Sequence, residues 1–345
     1  KNVCPKPSQE RIFLRQEAVK KNRKSHKFCS TCGTTNTDRM NNLFYWGVLY
    51  PISKLPYKLL YCFRPLLYFI LFILIGYRKK VVSENLKNSF PQDSEQERNK
   101  KIKGFYWHLT TLIIEAVLNL HFSAKQLQAR MIFRNPELLN NLQKEKRNII
   151  LVGGHYGNWE WLITSLGIHF PTHLYGLGMP LSASYWQKKL TERRERFGLN
   201  VIHSKNYRDY LLNEDNHHFL LLMLADQSPG DSRKSYWMNF LHQPTAIALG
   251  SETLANETQA CVVYCHVLKS TNGRYEVEFE VLTHTPNSLP YGAITESYTQ
   301  RLEAAIVKDP SLWLWSHKRW KREVPENIIA LHREQEERFN AKYRL

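Results

Sequence analysis

The stretch NIILVGGHYGNWEWLITSLGI (148–168) decides the fold class of this chain. Its first part, NIILVGG (148–154), is an apolar run of strand length, and WEWLITSLGI (159–168) has the length and character of a buried helix. Between them, Gly157 favours a turn and Asn158 is a good N-cap. A buried strand that turns directly into a helix is typical of an α/β sheet covered on both faces.

Strands and helices continue to alternate after this stretch. Strands are predicted at 172–178, 199–204, 219–226, 260–270 and 275–283, and helices at 183–197, 207–213 and 293–308. The dipeptide Asn272-Gly273 separates the last two strands and is a hairpin signal, so these two are predicted to be antiparallel. The predicted fold class is therefore α/β, with a mixed sheet flanked by helices.

The same turn carries the candidate chemistry. His155 follows the strand at its carboxyl end, where open α/β sheets bind ligands, and Glu160 falls in the first turn of the helix. On one continuous helix the two side chains would diverge by about 140°, but a break at Gly157 lets them converge. A carboxylate bonded to one ring nitrogen makes the other a base able to deprotonate an alcohol. The alternative is a core histidine beside an unrelated helix-terminal charge.

Composition narrows the class of partner. The 345 residues have a formal net charge of +17, which attracts nucleic acid, anionic lipid or an acidic protein. There is no zinc-finger, RNP or basic-zipper pattern, so no nucleic-acid partner is predicted. The six cysteines lack a second CxxC, and the histidines lack HExxH spacing, so no metal site is predicted.

Four segments are predicted along the chain. Residues 1–39 carry ten Lys or Arg and three Asp or Glu, and are interpreted as a basic tail outside a natural protein that starts at Met40. Residues 40–80 are predicted to be a hydrophobic membrane anchor, 81–325 the main α/β domain, and 326–345 a charged helix. Half a metal site, Cys29-Ser-Thr-Cys32, is the alternative interpretation of the tail.

The anchor prediction rests on PLLYFILFILIGY (65–77) and the basic run 78–80 that follows it. A spanning helix needs about 20 apolar residues, and the run reaches that length only by including Arg64. The basic flank is typical of the cytoplasmic side of a membrane. The anchor is therefore interpreted as spanning or re-entrant, with a buried amphipathic helix as the alternative.

The residues alone do not decide the role of two further features, Glu115 and the segment 313–322. Glu115 lies among apolar residues of a helix predicted over 95–122, and is either functional or a partly buried, paired carboxylate. The segment WLWSHKRWKR (313–322) interleaves Trp with basic residues, a mixture that suits anionic lipid headgroups, an acidic carrier protein or stacked single-stranded nucleic acid.

Five segments together resemble the lipid A biosynthesis late acyltransferases. GGHYGNWEW (153–161) is similar to the family's H-x4-(D/E) motif. The other four follow in the family's order: GYRKKVVSENLKNSFP (76–91), LADQSP (224–229), FLHQPTAIALGSETLA (240–255) and WLWSHKRWKR (313–322). The resemblance covers about residues 40–325. It implies a fold like that of the glycerolphosphate acyltransferases, and it makes 81–325 an acyltransferase domain.

The resemblance also implies roles for single residues. His155 would take the proton from an acceptor hydroxyl, and Glu160 would orient and charge-balance the ring. Arg194 and Arg196, in RRERFG (193–198), would bind an acidic headgroup, although a solvated helix face is the alternative for Arg194. The (D/E)Q element places two further residues, Asp226 and Gln227, in the site, where they would help to shape it.

The implied reaction moves a fatty acyl chain from an acyl thioester to a hydroxyl of a lipid A precursor, at the cytoplasmic face of the inner membrane. The donor would be acyl carrier protein or acyl-CoA as a co-substrate, and no cofactor is expected. One rival is the same chemistry on a lysophospholipid or aminolipid. Another is a non-catalytic basic membrane-binding protein, which would not explain the turn at His155.

Overall fold

The computed structural model describes residues 36–178, 184–213, 218–271 and 273–344. The chain divides into two compact units, Lys1–Val48 and Leu49–Leu345. In the first unit, helix α1 spans Asn36–Phe44. The π-helical turn that follows, Tyr45–Leu49, ends at the first residue of the second unit. The predicted basic tail lies outside the described residues up to position 35. All further elements belong to the second unit.

A seven-stranded sheet forms the centre of the second unit, in the order β1-β9-β8-β2-β5-β3-β4. Its strands are β1 (Met131–Phe133), β2 (Ile149–Gly153), β3 (Leu174–Gly178), β4 (Asn200–His203), β5 (Leu220–Leu224), β8 (Cys261–Thr271) and β9 (Arg274–Thr283). Neighbouring strands run parallel except β8 and β9, which are antiparallel. The prediction of a mixed sheet is confirmed.

Strand β2 lies in the middle of this sheet, between β5 and β8. All five of its residues are buried, because helices cover both faces of the sheet. A separate two-stranded hairpin consists of β6 (Ser235–Phe240) and β7 (Gln243–Ala248). Neither hairpin strand nor β1 was predicted from the sequence.

Helices connect and cover the strands of the α/β core. They are α5 (Lys79–Ser89), α6 (Glu95–Leu118), α7 (Ala124–Gln128), α8 (Pro136–Lys144), α9 (Trp159–His169), α10 (Ser184–Arg194), α11 (Tyr207–Asn213), α12 (Gly250–Thr258), α13 (Ala293–Lys308) and α14 (Ile328–Tyr343). Helix α6 starts with a capping box in which Ser94 and Glu97 satisfy each other's backbone N–H groups.

The apolar segment that precedes α5 is broken into short pieces. These are α2 (Tyr50–Ser53), α3 (Tyr57–Cys62), α4 (Arg64–Tyr68) and a π-helical run at Phe69–Leu74. Its inner side packs on α6, where the Arg64 guanidinium lies 4.0 Å from the centre of the Trp107 ring and the Phe72 ring lies 4.9 Å from that of Tyr106. Among the described residues, no helix has both the length and the apolar character needed to cross a bilayer. The predicted anchor therefore has no spanning helix in the described part of the chain.

Candidate active site

The candidate site forms where β2 turns into α9. Asn158 caps α9, accepting the Trp161 N–H through Oδ1 at 2.9 Å. Gly157 has a φ of +61°, and a Cβ there would lie 2.8 Å from Cγ1 of Val267. A Cβ on Gly154 would lie 2.8 Å from Cδ1 of Leu302. The backbone conformation at Gly157 therefore favours glycine, whereas a Cβ on Gly154 would require the Leu302 side chain to move. The reversal leaves His155 at the carboxyl edge of the sheet.

Asp226 binds His155 at two points. Its Oδ1 lies 2.6 Å from the ring Nδ1, and its Oδ2 accepts the His155 backbone N–H at 2.8 Å. The contact follows from the sheet, because β5 pairs with β2 in register and both residues come just after those paired strand ends. Burial alone would raise the pKa of Asp226, but the facing imidazole and the donated hydrogen bonds lower it to about 2.

The second ring nitrogen of His155 faces Gln227. With Nδ1–H donated to Asp226, Nε2 carries the lone pair, and the Gln227 Nε2 amide lies within hydrogen-bond distance of it at 3.2 Å. The edge of the Trp159 ring packs against the imidazole, with ring centres 5.3 Å apart. The His155 side chain is 16% exposed. The ring is thus held in one orientation and one tautomer, with its basic nitrogen within reach of a hydrogen-bonding partner.

Glu160 binds arginine rather than His155. Its Oε2 accepts the Arg193 Nη2–H at 2.8 Å, and its Oε1 accepts the Arg194 Nη2–H at 2.5 Å. Burial would raise the pKa of this carboxyl, but the two guanidinium groups outweigh it and lower the pKa to about 2. The structure thus differs from the sequence-based expectation that Glu160 orients the imidazole. Asp226 takes that position instead, because it is at the end of the adjacent strand.

The arginines of the RRERFG segment have different surroundings. Arg193 and Arg194, at the end of α10, both hold Glu160. Arg196 is exposed and lies over the Phe197 ring, with 5.1 Å between its guanidinium carbon and the ring centre. The structure therefore brings Arg194 to the start of α9, where it forms an ion pair with Glu160. Arg196 does not form that ion pair. Arg193 was not singled out from the sequence.

The segment 313–322 packs inside the protein against the site. Trp313 donates its indole N–H to Oδ2 of Asp226 at 2.8 Å and is 2% exposed. His317 Nε2 accepts the Ser228 N–H at 3.1 Å, and burial lowers the pKa of this imidazole to about 4. Arg319 is 2% exposed and donates to the Ala246 carbonyl at 2.8 Å. The interpretation of these residues as a lipid or nucleic-acid surface is therefore wrong: only Lys318 and Lys321 are exposed.

Thr245 belongs to the same interior contact. Its hydroxyl oxygen accepts the Trp320 indole N–H at 2.8 Å. Like the bond from Arg319 to the Ala246 carbonyl, this contact ties the C-terminal segment to β7.

Two buried polar residues of α6 hold the turn from its other side. Glu115 is fully buried and accepts the Asn158 Nδ2–H at 2.6 Å, together with the hydroxyls of Tyr61 and Tyr275. Burial raises the pKa of this carboxyl against the lowering effect of those three bonds. His108, seven residues earlier, lies 3.3 Å from the Gly157 carbonyl, and burial lowers the pKa of its ring to about 3. Of the two interpretations of Glu115, the paired carboxylate is confirmed.

No group of three or more metal-binding side chains occurs in the described ranges. The tail cysteines Cys29 and Cys32 lie outside those ranges. The described cysteines, Cys62, Cys261 and Cys265, are free thiols, and burial raises the pKa of Cys261 to about 11. The groups available for chemistry at the turn are therefore an imidazole, carboxylates and guanidinium groups.

Comparison with known proteins gives one consistent result. A family model described as bacterial lipid A biosynthesis acyltransferase matches residues 34–322. The chain is 22% identical over 296 residues to the lipid A biosynthesis lauroyltransferase of Escherichia coli (strain K12), covering 82% of this chain and 94% of that protein. It is 23% identical over 317 residues to the palmitoleoyltransferase of the same pathway and organism, covering 83% and 95%. A lipid A biosynthesis acyltransferase of Haemophilus influenzae is 23% identical over 263 residues, covering 75% and 82%.

Proposed function

The chain belongs to the bacterial lipid A biosynthesis acyltransferase family and is an acyl-transferring enzyme, and we propose that it uses His155 to activate a hydroxyl of a lipid A precursor for attack on an acyl thioester. The observation that carries the proposed mechanism is the double hydrogen bond between Asp226 and His155. It fixes the tautomer that leaves Nε2 able to accept a proton.

His155 is the only base that the proposed reaction needs, because it accepts a proton and later returns it. His155 Nε2 takes the proton of the acceptor hydroxyl while the oxygen attacks the thioester carbonyl. The resulting tetrahedral intermediate collapses, the carbon–sulfur bond breaks, and the thiolate leaves with the proton that His155 returns. Asp226 stabilises the imidazolium while it exists. The products are the ester and the free thiol of the donor, which we propose to be acyl carrier protein or acyl-CoA, and no covalent enzyme intermediate is needed.

Glu160 and its arginines have a different role in this proposal. The carboxylate is in the first turn of α9, close in sequence to His155, and it holds two guanidinium groups there. Each arginine has five N–H donors, so a group bonded to Glu160 retains donors for an anion. We propose that Arg193 and Arg194 stabilise negative charge that develops on the reacting groups at the turn. Glu160 would hold these two arginines in place.

Membrane association is proposed through a surface rather than a spanning helix. The pieces between Tyr50 and Leu74 expose large apolar side chains, which together we call the apolar surface: Ile52, Leu55, Leu59, Phe63, Leu66, Phe69, Ile73 and Leu74. No Asp or Glu occurs between Asp38 and Glu84, whereas Lys54, Lys58 and the basic run 78–80 flank the surface. Lys80 pairs with Glu84, and the other basic residues lie in a stretch of sequence without acids. Exposed apolar side chains beside basic residues suit the interface of an anionic bilayer.

The experiment that tests the proposed function is lipid mass spectrometry on cells with and without the gene. Loss of one acyl chain from lipid A, restored by the wild-type gene, is the expected result. Restoration by a His155→Ala gene at equal protein level would rule out His155 as the base. An unchanged lipid A together with an altered phospholipid or aminolipid would move the acceptor to another lipid class.

A further inference from the structure

The second unit contains a cavity of about 460 Å³. It is formed where the end of α5, the first turns of α6 and the β6–β7 turn meet, and it is lined by Lys87, Asn88, Pro91, Arg98, His242 and Gln243. We call it the cationic cavity. Its volume falls in the range of about 300–1,000 Å³ typical of small-molecule sites. None of the residues assigned above to acyl transfer lines it.

The charged residues that line the cationic cavity are all basic. Lys87 and Arg98 supply two cations, the imidazole of His242 supplies an N–H donor, and no acidic residue is part of the lining. Carboxylates occur on the segments around the cavity: Glu84 on α5, Glu95 and Glu97 in the first turn of α6, and Asp93 and Glu303 beside them. Glu303 accepts the Leu241 N–H at 2.6 Å. Among the described residues, neither Lys87 nor Arg98 forms an ion pair with a carboxylate, and Glu84 and Asp93 pair with Lys80 and Lys101 instead.

Arg98 has a donor that the protein leaves unused. Its Nη2–H reaches the Asp93 carbonyl at 3.1 Å, whereas its Nε is buried with no hydrogen-bond partner. A buried donor of a charged group without an acceptor is costly, and such groups need an explanation. An anion in the cavity would supply the missing acceptor.

The β6–β7 turn is strained at the residue that lines the cavity. Leu241 and His242 have φ values of +50° and +61°, in a two-residue hairpin turn that ordinarily takes Asn-Gly or Asp-Gly. Leu241 is 1% exposed, so core packing explains its presence. His242 is exposed, and packing gives no reason for an imidazole there. Strain that persists without a packing reason points to function.

From these observations we propose that the cationic cavity binds a phosphate group. Arg98 would donate from its fork, Lys87 would supply a point charge, and His242 would supply a further N–H donor. The Gln243 amide donates one N–H to Ser89 Oγ at 3.0 Å and has its second N–H to offer. The group belongs either to a free phosphate compound or to a phosphorylated lipid headgroup. The proposal stands on the cavity alone and does not depend on His155 being the base.

Titration of the purified full chain with inorganic pyrophosphate at low ionic strength, followed by calorimetry, tests the proposal. Arg98→Gln should weaken binding on the order of tenfold, because a charge-assisted hydrogen bond is lost. His242→Asn should also weaken binding but raise Tm, since Asn tolerates a positive φ better than His. Lys103→Gln is the matched control: it removes one charge from the exposed side of α6, outside the cavity.

Vesicles separate the two sources of phosphate. The cavity binds a lipid headgroup if the wild-type protein does not bind pyrophosphate but sediments more with phosphatidate vesicles than with phosphatidylcholine vesicles. The excess sedimentation should then be lost in Arg98→Gln and kept in Lys103→Gln. Binding of pyrophosphate with the same variant pattern assigns it to a soluble compound. The proposal is overturned if Arg98→Gln, His242→Asn and a folded Lys87→Gln all behave like Lys103→Gln towards both probes.

Discussion

Asp226 holds His155 by two hydrogen bonds at once, one to the ring and one to the backbone. The ring bond fixes the tautomer, and the backbone bond fixes the position of the residue after the glycine pair. One carboxylate therefore sets both the direction of the imidazole and the shape of the turn. Removing its charge should affect chemistry more than substrate binding.

Asp226→Asn is the first prediction. The amide can keep one hydrogen bond to the turn but cannot stabilise an imidazolium, so kcat should fall on the order of 10³-fold with KM for the acyl thioester nearly unchanged. Steady-state kinetics on the purified protein gives both numbers. A kcat within fivefold of wild type would show that Asp226 does not support the base.

Trp313→Phe tests the third hydrogen bond to Asp226. The ring is retained but the indole donor is lost, which should lower kcat about tenfold, the effect of one hydrogen bond to a charged group. Trp315→Phe is the matched control, since Trp315 is equally buried and donates to the Pro310 carbonyl instead. The two variants should lose similar stability. Equal loss of kcat in both would mean that Trp313 acts through packing only.

The ion pairs of Glu160 predict a pH dependence of stability. The folded state lowers the pKa of Glu160 from 4.5 to about 2, so the folded state binds fewer protons than the unfolded state in this range. The stabilisation is present above the unfolded pKa and is lost as pH falls from about 4.5 towards 2; it amounts to on the order of 3 kcal/mol. Urea unfolding at several pH values measures it. Glu160→Gln should flatten the curve over this window; an unchanged slope would contradict the assignment.

Glu115 should stabilise the turn without taking part in the reaction. Glu115→Ala removes the acceptor of three buried donors, including the Asn158 amide, and should lower the free energy of unfolding by about 3–5 kcal/mol. Glu115→Gln keeps one acceptor oxygen and should lose less. Denaturant unfolding monitored by tryptophan fluorescence compares the two. Equal stability of both variants and the wild type would show that the donors find other partners.

Substitutions on the apolar surface should weaken membrane binding without reducing catalytic activity. Leu66→Asp and Ile73→Asp place a charge on side chains that are both 54% exposed, so the fold should be kept while sedimentation with anionic vesicles falls severalfold. Activity on a detergent-solubilised acceptor should stay near wild type. Ile329→Asp, on a residue that is 84% exposed outside this surface, is the control. Vesicle binding unaffected by either substitution would place the membrane contact elsewhere.

The long apolar strands and the turn at His155 could be predicted from the sequence, because burial on both faces leaves a continuous apolar run. The three-residue β1 is too short to leave such a pattern. The β6–β7 hairpin lacks the usual turn residues, since Leu241 and His242 occupy the turn. In each case tertiary contacts, rather than local sequence preference, determine the strand.

The site was predictable in part. His155 and Asp226 were both named from the sequence, but Glu160 was paired with His155 because it is close along the chain. The actual pairing depends on β5 lying beside β2, which is a property of strand order and not of local spacing. Similarly, the Trp-rich segment 313–322 has the composition of an interface, and only the fold shows that Trp313 donates into the site.

The central claim is tested most directly by single-turnover acyl transfer with His155→Ala, using an acyl thioester donor and a lipid A precursor at saturating concentrations. The account predicts a transfer rate on the order of 10³-fold below wild type, with acceptor binding retained. The thermal unfolding midpoint should fall, because the buried Asp226 carboxylate loses its ring partner. A folded His155→Ala protein that transfers the acyl chain within tenfold of the wild-type rate would show that the imidazole is not the base.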